Sequence, residues 1–450
     1  MVEKLKLSLF KNIIDSSLFM STPTKRIAFH TMGCKLNLSE TGTISRDFIQ
    51  HGFQKVSYKE KADIYVLNTC SVTENANKEA RKLIRQAKRR NPDSSIAIIG
   101  CYAQLKPNEI SEIKGVDLVL GAKEKFNLLS HLEKLDIKDK TKIVESDIRE
   151  INSFKPSYSS AERTRSFLKI QDGCNYTCSF CTIPLARGKS RSDSIKNTME
   201  TAKKITNRGA REIVLTGVNI GDFGNGTTET FYDLIQQLDT INELDRIRIS
   251  SIEPNLLSTQ IIDFCATSKK IMPHFHIPLQ SGSNKILQSM RRRYNLELYE
   301  EKIIKIKNLI PEACIGVDII VGFPGETNSE FYKTYDYLKE LDISYLHVFS
   351  YSERENTEAI KIKDVVNFEE RAERSKMLHI LSNKKTHLFN DKFLNSNRLV
   401  LFESIKNGKV IGHTDNYIQV QVDGDSKLIN KILPVNLELN RGSNIFGTLK

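Results

Sequence analysis

Cys174, Cys178 and Cys181 follow the spacing C-x-x-x-C-x-x-C within Gly173–Cys181. Three thiols crowd one tight loop, and the loop supplies no fourth. Iron–sulfur clusters are held by Cys thiolates, usually four. Three leave one iron with an open position, and an open metal position is where a substrate or cofactor binds. Zinc competes for such a set, because three thiolates plus one further ligand suit it as well.

Three more cysteines form a second set. Arg26–Thr31 reads as a strand running into Gly33-Cys34. Asp63–Thr69 is an apolar, β-branched run ending at Cys70, and Ser95–Gly100 ends at Cys101. Helical patterns separate them, including one over Asn75–Arg90. Alternating strand and helix implies a parallel sheet, whose carboxyl ends share one edge where ligands bind. Buried core cysteines are common, but three that each stand just past a strand favour a ligand set, for iron–sulfur or zinc. Cys265 and Cys314 have no partner spacing and read as packing residues.

The chain has 450 residues, too many for one hydrophobic core, so two or three domains are expected. No apolar run approaches a membrane span. Residues before about Thr24 fit no motif, no secretory signal is evident, and Met20 is a candidate start. A reducing, cytoplasmic setting is expected, where clustered cysteines point to metal or catalysis rather than disulfides. Lys plus Arg exceed Asp plus Glu by 67 to 55, a net +12. That excess fits a nucleic-acid partner or a solvated basic surface.

From about Ser166 the strand–helix rhythm resumes. Phe167–Gln171 leads to the Cys174 loop, Glu212–Leu215 to Thr216-Gly217-Val218-Asn219, and Arg246–Ser250 to Ser251-Ile252-Glu253-Pro254. His274–Ile277 leads to Pro278-Leu279-Gln280-Ser281-Gly282, Ile315–Val321 to Gly322-Phe323-Pro324-Gly325-Glu326, and Tyr345–Phe349 to Ser350-Tyr351. Six such units curve into a partial (β/α)6 barrel with its site at the carboxyl ends. After Asn397 short alternating runs with Asn407-Gly408 and Asp423-Gly424 between them predict a small, OB-like β-barrel. It either binds RNA or caps the fold. The expected divisions are 24–140, 160–394 and 397–450, all within an α/β fold class.

Together these motifs resemble the radical-SAM (S-adenosylmethionine) methylthiotransferases. The resemblance is carried by Gly33–Asn37, Asn68–Val72, Gly100–Ala103, the Cys174 loop through Pro184–Gly188, and Val321–Glu326. It implies an N-terminal methylthiotransferase domain, a radical-SAM core and a C-terminal TRAM barrel. His276–Gly282, Ser251–Pro254 and Thr216–Gly221 look most like the branch acting on N6-threonylcarbamoyladenosine beside the anticodon of tRNA. The isopentenyladenosine and ribosomal protein S12 branches are the alternatives, and a zinc-stabilised RNA-binding protein is the alternative outside the family. One departure is Tyr351–Thr357, where the family usually has Pro, Arg and Gly in the form YSPRxGT.

The resemblance further implies two [4Fe-4S] clusters, one on Cys174, Cys178 and Cys181 and an auxiliary one on Cys34, Cys70 and Cys101. It implies SAM contacts at Phe180, Thr216, Gly217, Asn219, Glu253, Gln280 and Gly322, and no catalytic side chain, because the cofactor generates the radical. Thr216-Gly217 would meet the methionine amine, Glu253 and Gln280 the ribose or amine, and Gly322–Gly325 the adenine. Glu253 and Gln280 read equally as rim residues that bind water or cap a helix. Implied partners are the tRNA anticodon stem-loop, an electron donor such as flavodoxin or ferredoxin, and a sulfur donor; no membrane is expected. Lys78, Arg81, Lys82, Arg85, Lys88, Arg89 and Arg90 on one helix, with Arg291-Arg292-Arg293-Tyr294, are candidate RNA contacts.

Overall fold

The strand-then-cysteine pattern builds a parallel sheet. The computed structural model describes residues 24–70, 74–135, 140–145, 147–159 and 164–450. Met20 and the Ser71-Val72 end of one motif lie outside them. β1 (Arg26–Thr31), β2 (Gln54–Val56), β3 (Ile64–Thr69), β4 (Ser95–Gly100), β5 (Leu118–Leu120) and β6 (Lys142–Val144) run parallel in the order β2-β1-β3-β4-β5-β6. Every β3 residue is buried, as expected of a central parallel strand covered on both faces. Tyr65, Leu67, Ile96 and Ile98 pack on one face with Ala80, Ile84 and Ala87 of the helix Glu74–Arg90. Ile64, Val66, Ala97 and Ile99 pack on the other with Ile44 and Phe48 of the helix Lys35–Gln50.

The second unit begins with β7 (Ser157–Tyr158) and β8 (Arg165–Lys169), followed by the short pair β9 (Gln171–Asp172) and β10 (Arg191–Ser192). The expected strand Phe167–Gln171 thus divides, and Gln171 leaves the barrel wall for an antiparallel pair with Ser192. β11 (Glu212–Thr216), β12 (Arg246–Ile249), β13 (His274–His276), β14 (Cys314–Val321) and β15 (Tyr345–Ser350) complete the wall. β8, β11 and β12 form one parallel ladder, and β13, β14 and β15 another. Isolated bridges, Ile247 to Ile271 and Ser251 to His276, join the two. Six parallel strands therefore curve without closing, and the helix Lys35–Gln50 packs on β7 and β8.

A buried ionic network seals that junction. The Glu40 carboxylate meets Lys125 at 2.7 Å, Arg187 at 3.1 Å and Lys169 at 3.2 Å. Asp172 meets Arg187 at 2.9 Å, Arg191 at 3.0 Å and Lys169 at 3.2 Å. Burial alone would raise both carboxyls, yet the surrounding cations hold them well below the ordinary range.

The C-terminal unit is a closed barrel of β16 (Asn397–Lys406), β17 (Lys409–Thr414), β18 (Gln419–Asp423), β19 (Ile432–Asn440) and β20 (Ile445–Leu449). Asn407 and Gly408 both have positive φ, at 51° and 74°, the two-residue turn that matches strand twist. This barrel plugs the amino-terminal end of the six-stranded wall. Arg246 donates to Leu399 O at 2.7 Å and His413 O at 3.2 Å, Arg248 donates to Asp415 O at 3.0 Å, and His274 stacks on Tyr417 with centroids 4.2 Å apart. Cys265 and Cys314 are buried packing residues. No helix among the described residues is long and apolar enough to cross a membrane.

Removing one partner of a buried charge set is expected to destabilise by about 3–5 kcal/mol. Glu40→Ala should therefore lower the urea midpoint markedly, and an unchanged midpoint would show that the network does not hold the junction.

Candidate active site

The sheet edge brings Cys34, Cys70 and Cys101 together. Gly33 has φ +84°, and a Cβ there would lie 2.6 Å from Cys70 Cβ, so the Cys34 loop rests directly on Cys70. Gly100 has φ +98° with Thr69 O 2.4 Å from where a Cβ would sit, and Cys101 opens the next helix. Asn37 Nδ2 donates to Met32 O at 3.0 Å and Thr69 O at 3.1 Å, tying the loops. Burial pushes the Cys34 thiol up; Arg187 opposes this, and Cys101 is close enough to add to it. Cys34 is solvent-accessible, Cys70 half-buried and Cys101 buried.

The second triad sits across from the first. The helix Cys101–Leu105 packs on the helix Ile183–Arg187 that follows Cys181. Arg187 Nη2 donates to Asn37 Oδ1 at 2.6 Å and is within electrostatic reach of Cys34 and Cys101. Each sulfur of the loop accepts a hydrogen bond: Cys174 from Tyr176 N at 3.4 Å, Cys181 from Ile183 N at 3.4 Å, and Cys178 from Arg292 Nη1 at 3.1 Å. Burial pushes the Cys174 thiol up to about 11 and that of Cys181 to about 12.

The residues expected at SAM surround this loop. Gln171 Oε1 accepts from Val218 N and Asn219 N, each at 2.9 Å, and Gln171 Nε2 donates to Gly173 O at 2.7 Å. Gln171 thus clamps the turn after Thr216-Gly217 to the cysteine loop. Both amide atoms of the buried Asn219 lack a partner among the described residues, and buried polar groups are seldom left so without a missing ligand. Glu253 is engaged by Arg292. Gln280 has φ 69°, and with Phe180 and Cys181 it lines a cavity of about 230 Å³. At Gly322 the close neighbour is Arg371, whose Cγ lies 2.3 Å from where a Cβ would stand.

Alternate residues of the wall point inward and make the lumen polar. His276 Nε2 lies 2.7 Å and His347 Nδ1 3.2 Å from Asp318 Oδ1. Burial would raise the Asp318 carboxyl, but these two hydrogen bonds overcome it and hold it low. At the floor, Arg248 grips Glu212 at 2.9 and 3.1 Å, and Arg165 reaches Glu403 at 2.8 Å. Lys35 enters this region. Burial pulls its ammonium below a free lysine, Tyr417 opposes that, and Arg165 and Arg248 add to it.

Residues 26–121 match the group described as uncharacterized protein family UPF0004, and residues 168–338 match the radical SAM superfamily. Over 423 residues the chain is 38% identical to threonylcarbamoyladenosine tRNA methylthiotransferase MtaB of Bacillus subtilis (strain 168), across 91% of this chain and 93% of that one. Over 424 residues it is 34% identical to tRNA-2-methylthio-N(6)-dimethylallyladenosine synthase of Endomicrobium trichonymphae, across 93% and 98%. The chain belongs to the radical-SAM methylthiotransferase family. In structure it resembles the radical S-adenosylmethionine methyltransferase TsrM of Kitasatospora setae, with a TM-score of 0.52 and 14% identity over 73% of this chain and 75% of that one. That likeness is one of fold.

Sequence reasoning missed Gln171, Arg187 and the role of Arg292. By sequence Arg292 is one of the candidate RNA contacts in Arg291-Arg292-Arg293-Tyr294. It is instead turned inward onto Cys178 and Glu253, while Arg291 and Arg293 stay exposed. In the basic helix Arg81 pairs with Glu109 and Lys88 with Asp117, leaving Lys78, Lys82, Arg85 and Arg89 exposed. The departure at Tyr351–Thr357 is accommodated. Asn356 takes φ 62° where the family usually has Gly, and Asn tolerates that region best among residues with a Cβ. Arg371 donates to Tyr351 O at 3.0 Å and holds the loop.

Burial pushes the Glu326 carboxyl up to about 7 despite bonds from Gly322 N and Arg374. A raised folded value means stability that is full below the ordinary value of 4.5 and lost as pH rises through about 7. Relative to Glu326→Gln, which stays neutral throughout, the parent protein should lose stability between pH 5 and pH 8. A pH-independent difference in chemical denaturation would refute this.

Proposed function

We propose that the protein inserts sulfur and a methyl group at C2 of N6-threonylcarbamoyladenosine beside the anticodon of tRNA. The observation that carries the reading is the convergence of two cysteine triads, from two separate sheets, across one contact bridged by Arg187. Sequence identity to the MtaB relative, 38% against 34% to the dimethylallyl relative, supports the threonylcarbamoyl branch.

Both triads fit an iron–sulfur cluster. Around Glu40 and Asp172 stand Lys125, Lys169, Arg187 and Arg191, four cations to two carboxylates. Of these cations Arg187 stands beside Cys34 and Cys101, where an anionic thiolate cluster would offset the excess positive charge. At Cys174, Cys178 and Cys181, hydrogen bonds to every sulfur are those that tune a cluster's potential. Cys34, Cys70 and Cys101 would hold an auxiliary [4Fe-4S] cluster, and Cys174, Cys178 and Cys181 the one that meets SAM. When bound, these groups supply the one-electron chemistry that opens an unactivated C–H bond.

The chain's own residues bind, orient and enclose. Asn219, with Thr216 and Gly217, is positioned to receive SAM's methionine end, fixed to the cysteine loop through Gln171. Phe180 and Gln280 line the cavity beside Cys181, Gly322 stands at the β14 rim, and Glu253 acts through Arg292. Domain boundaries at 24–140, 160–394 and 397–450 then correspond to sulfur supply, radical generation and a TRAM barrel that grips RNA. The exposed Lys78, Lys82, Arg85 and Arg89 add phosphate contacts. A cytoplasmic setting supplies tRNA, a flavodoxin- or ferredoxin-type reductant and a sulfur donor.

Anaerobically reconstituted protein, given SAM, a reductant and tRNA bearing either modification, should add a methylthio mass to threonylcarbamoyladenosine alone. A gain on isopentenyladenosine alone would move the chain to the other branch. Replacing Cys34, Cys70 and Cys101 together by Ala should leave SAM cleavage and abolish sulfur insertion. Insertion surviving that change would sink the two-cluster arrangement.

A further inference from the structure

Strand periodicity places three side chains of metal-ligating type at one level of the barrel lumen. His276 stands on β13, Asp318 on β14 and His347 on β15, and Asp318 pairs in register with His347. His276 Nε2 and His347 Nδ1 lie 2.7 and 3.2 Å from the same oxygen, Asp318 Oδ1. The two imidazoles meet edge to face at 83°, so their nitrogens converge instead of stacking. The three atoms lie within 4.8 Å of one another.

Charge and access both set this layer apart from ordinary filling. Among the described residues Asp318 forms no ion pair with a lysine or arginine, and its partners are the two histidines. Glu40, Asp172 and Glu212 are each matched by a permanent cation. A carboxylate withdrawn from water normally needs such a match. Yet the layer remains reachable, for the side chains of His276, Asp318 and His347 are 14, 19 and 48% exposed. Asp318 lines the cavity of about 230 Å³ that also meets Cys181 and Gln280. One level below, Tyr345 Oη meets His274 Nε2 at 2.9 Å. Gly316 makes room for that ring, which would lie 2.2 Å from a Cβ there. The lumen is thus filled beneath the layer and open on its cavity side.

Two imidazole nitrogens and one carboxylate oxygen suit a divalent first-row metal and leave it with open positions. Bonds of about 2.1 Å put neighbouring donors about 3.0–3.4 Å apart, so the observed spacing needs only small side-chain rotations. We propose that His276, Asp318 and His347 form a binding site for a divalent first-row transition-metal ion, distinct from both cysteine triads. Binding displaces the hydrogens that the two rings direct at Asp318. Each ring, neutral as a metal ligand, then carries its proton on its other nitrogen. The open positions face the cavity and take oxygen ligands. Of the two adenine substituents, only threonylcarbamoyl offers a carboxylate and a hydroxyl, so the ion favours that substrate. This last step rests on the substrate reading above.

The probe is Mn(II), added to untagged, cluster-reconstituted full-length protein. Its cysteines are then occupied, and its oxidised clusters are silent in electron paramagnetic resonance. The parent protein should bind one Mn(II) per chain, with pulsed spectra showing coupling to two imidazole nitrogens. His347→Ala should weaken binding by roughly a hundredfold and remove one coupling, more than losing a hydrogen-bond partner behind a ligand costs. Asp318→Asn should weaken it similarly. His387→Ala, which removes an exposed histidine paired with Asp391, should change neither. Absence of saturable binding by the parent protein would overturn the proposal without any variant, leaving a hydrogen-bonded layer only. Nitrogen couplings that persist unchanged in His347→Ala would overturn it too. Anticodon stem-loop RNA bearing a carbon-13 carboxylate on its threonylcarbamoyl group should add a carbon coupling in the parent protein and not in His347→Ala. No such coupling would remove the substituent from the ion and leave the metal site standing. Methylthio transfer to dimethylallyl RNA alone would defeat the substrate reading, whereas Mn(II) binding without RNA tests the site by itself.

Discussion

Glu40 and Asp172 are the charges on which the two halves of the site depend. Glu40 belongs to the helix that starts at Cys34, and Asp172 stands two residues before Cys174. Arg187, on the helix after Cys181, touches both at 3.1 and 2.9 Å. One guanidinium thus fixes the loop of one triad relative to the helix of the other. Such a set is costly to bury and costly to break. Its use is positional, because a planar bidentate donor permits less sliding than an apolar contact of the same area. Around these two carboxylates the cations are in excess, with Lys125, Lys169, Arg187 and Arg191 all in contact with them.

The barrel wall separates two tasks by strand periodicity. Outward residues such as Ile213, Leu215, Ile247 and Ile249 form the largest apolar cluster with the helices. Inward residues, Glu212, Arg248, His276, Asp318 and His347 among them, are charged or polar and matched mainly to each other. A small barrel normally fills its interior with branched apolar side chains. Here the interior is a polar chamber, closed below by the C-terminal barrel through Arg246, Arg248 and the His274–Tyr417 stack.

Much of this was legible from local pattern. Apolar β-branched runs ending in cysteine placed β1, β3 and β4 to within a residue, because a parallel sheet leaves its catalytic edge at strand ends. All six cysteines fell into two groups as their flanking strands implied. What stayed hidden was pairing over long separation. Gln171 lay within an expected strand, and nothing local marks it as the clamp on Val218 and Asn219, about fifty residues away. Arg292 sat among three arginines, and only the tertiary fold distinguishes the one facing Cys178 from the two facing solvent. Inward-facing Asp318 had a signal, a lone carboxylate in an otherwise apolar strand, whose partners His276 and His347 come from the two adjacent strands.

The chamber joins parts fixed by backbone geometry to parts built from side chains. The cysteine loops and the Gln171 clamp are set by backbone geometry: positive φ at Gly33 and Gly100, and a close approach at Gly173, where Lys189 O lies 2.0 Å from any added Cβ. These positions tolerate little change. The floor is different. It is built from side chains on several strands and on the C-terminal barrel, and each can change without moving the cysteines.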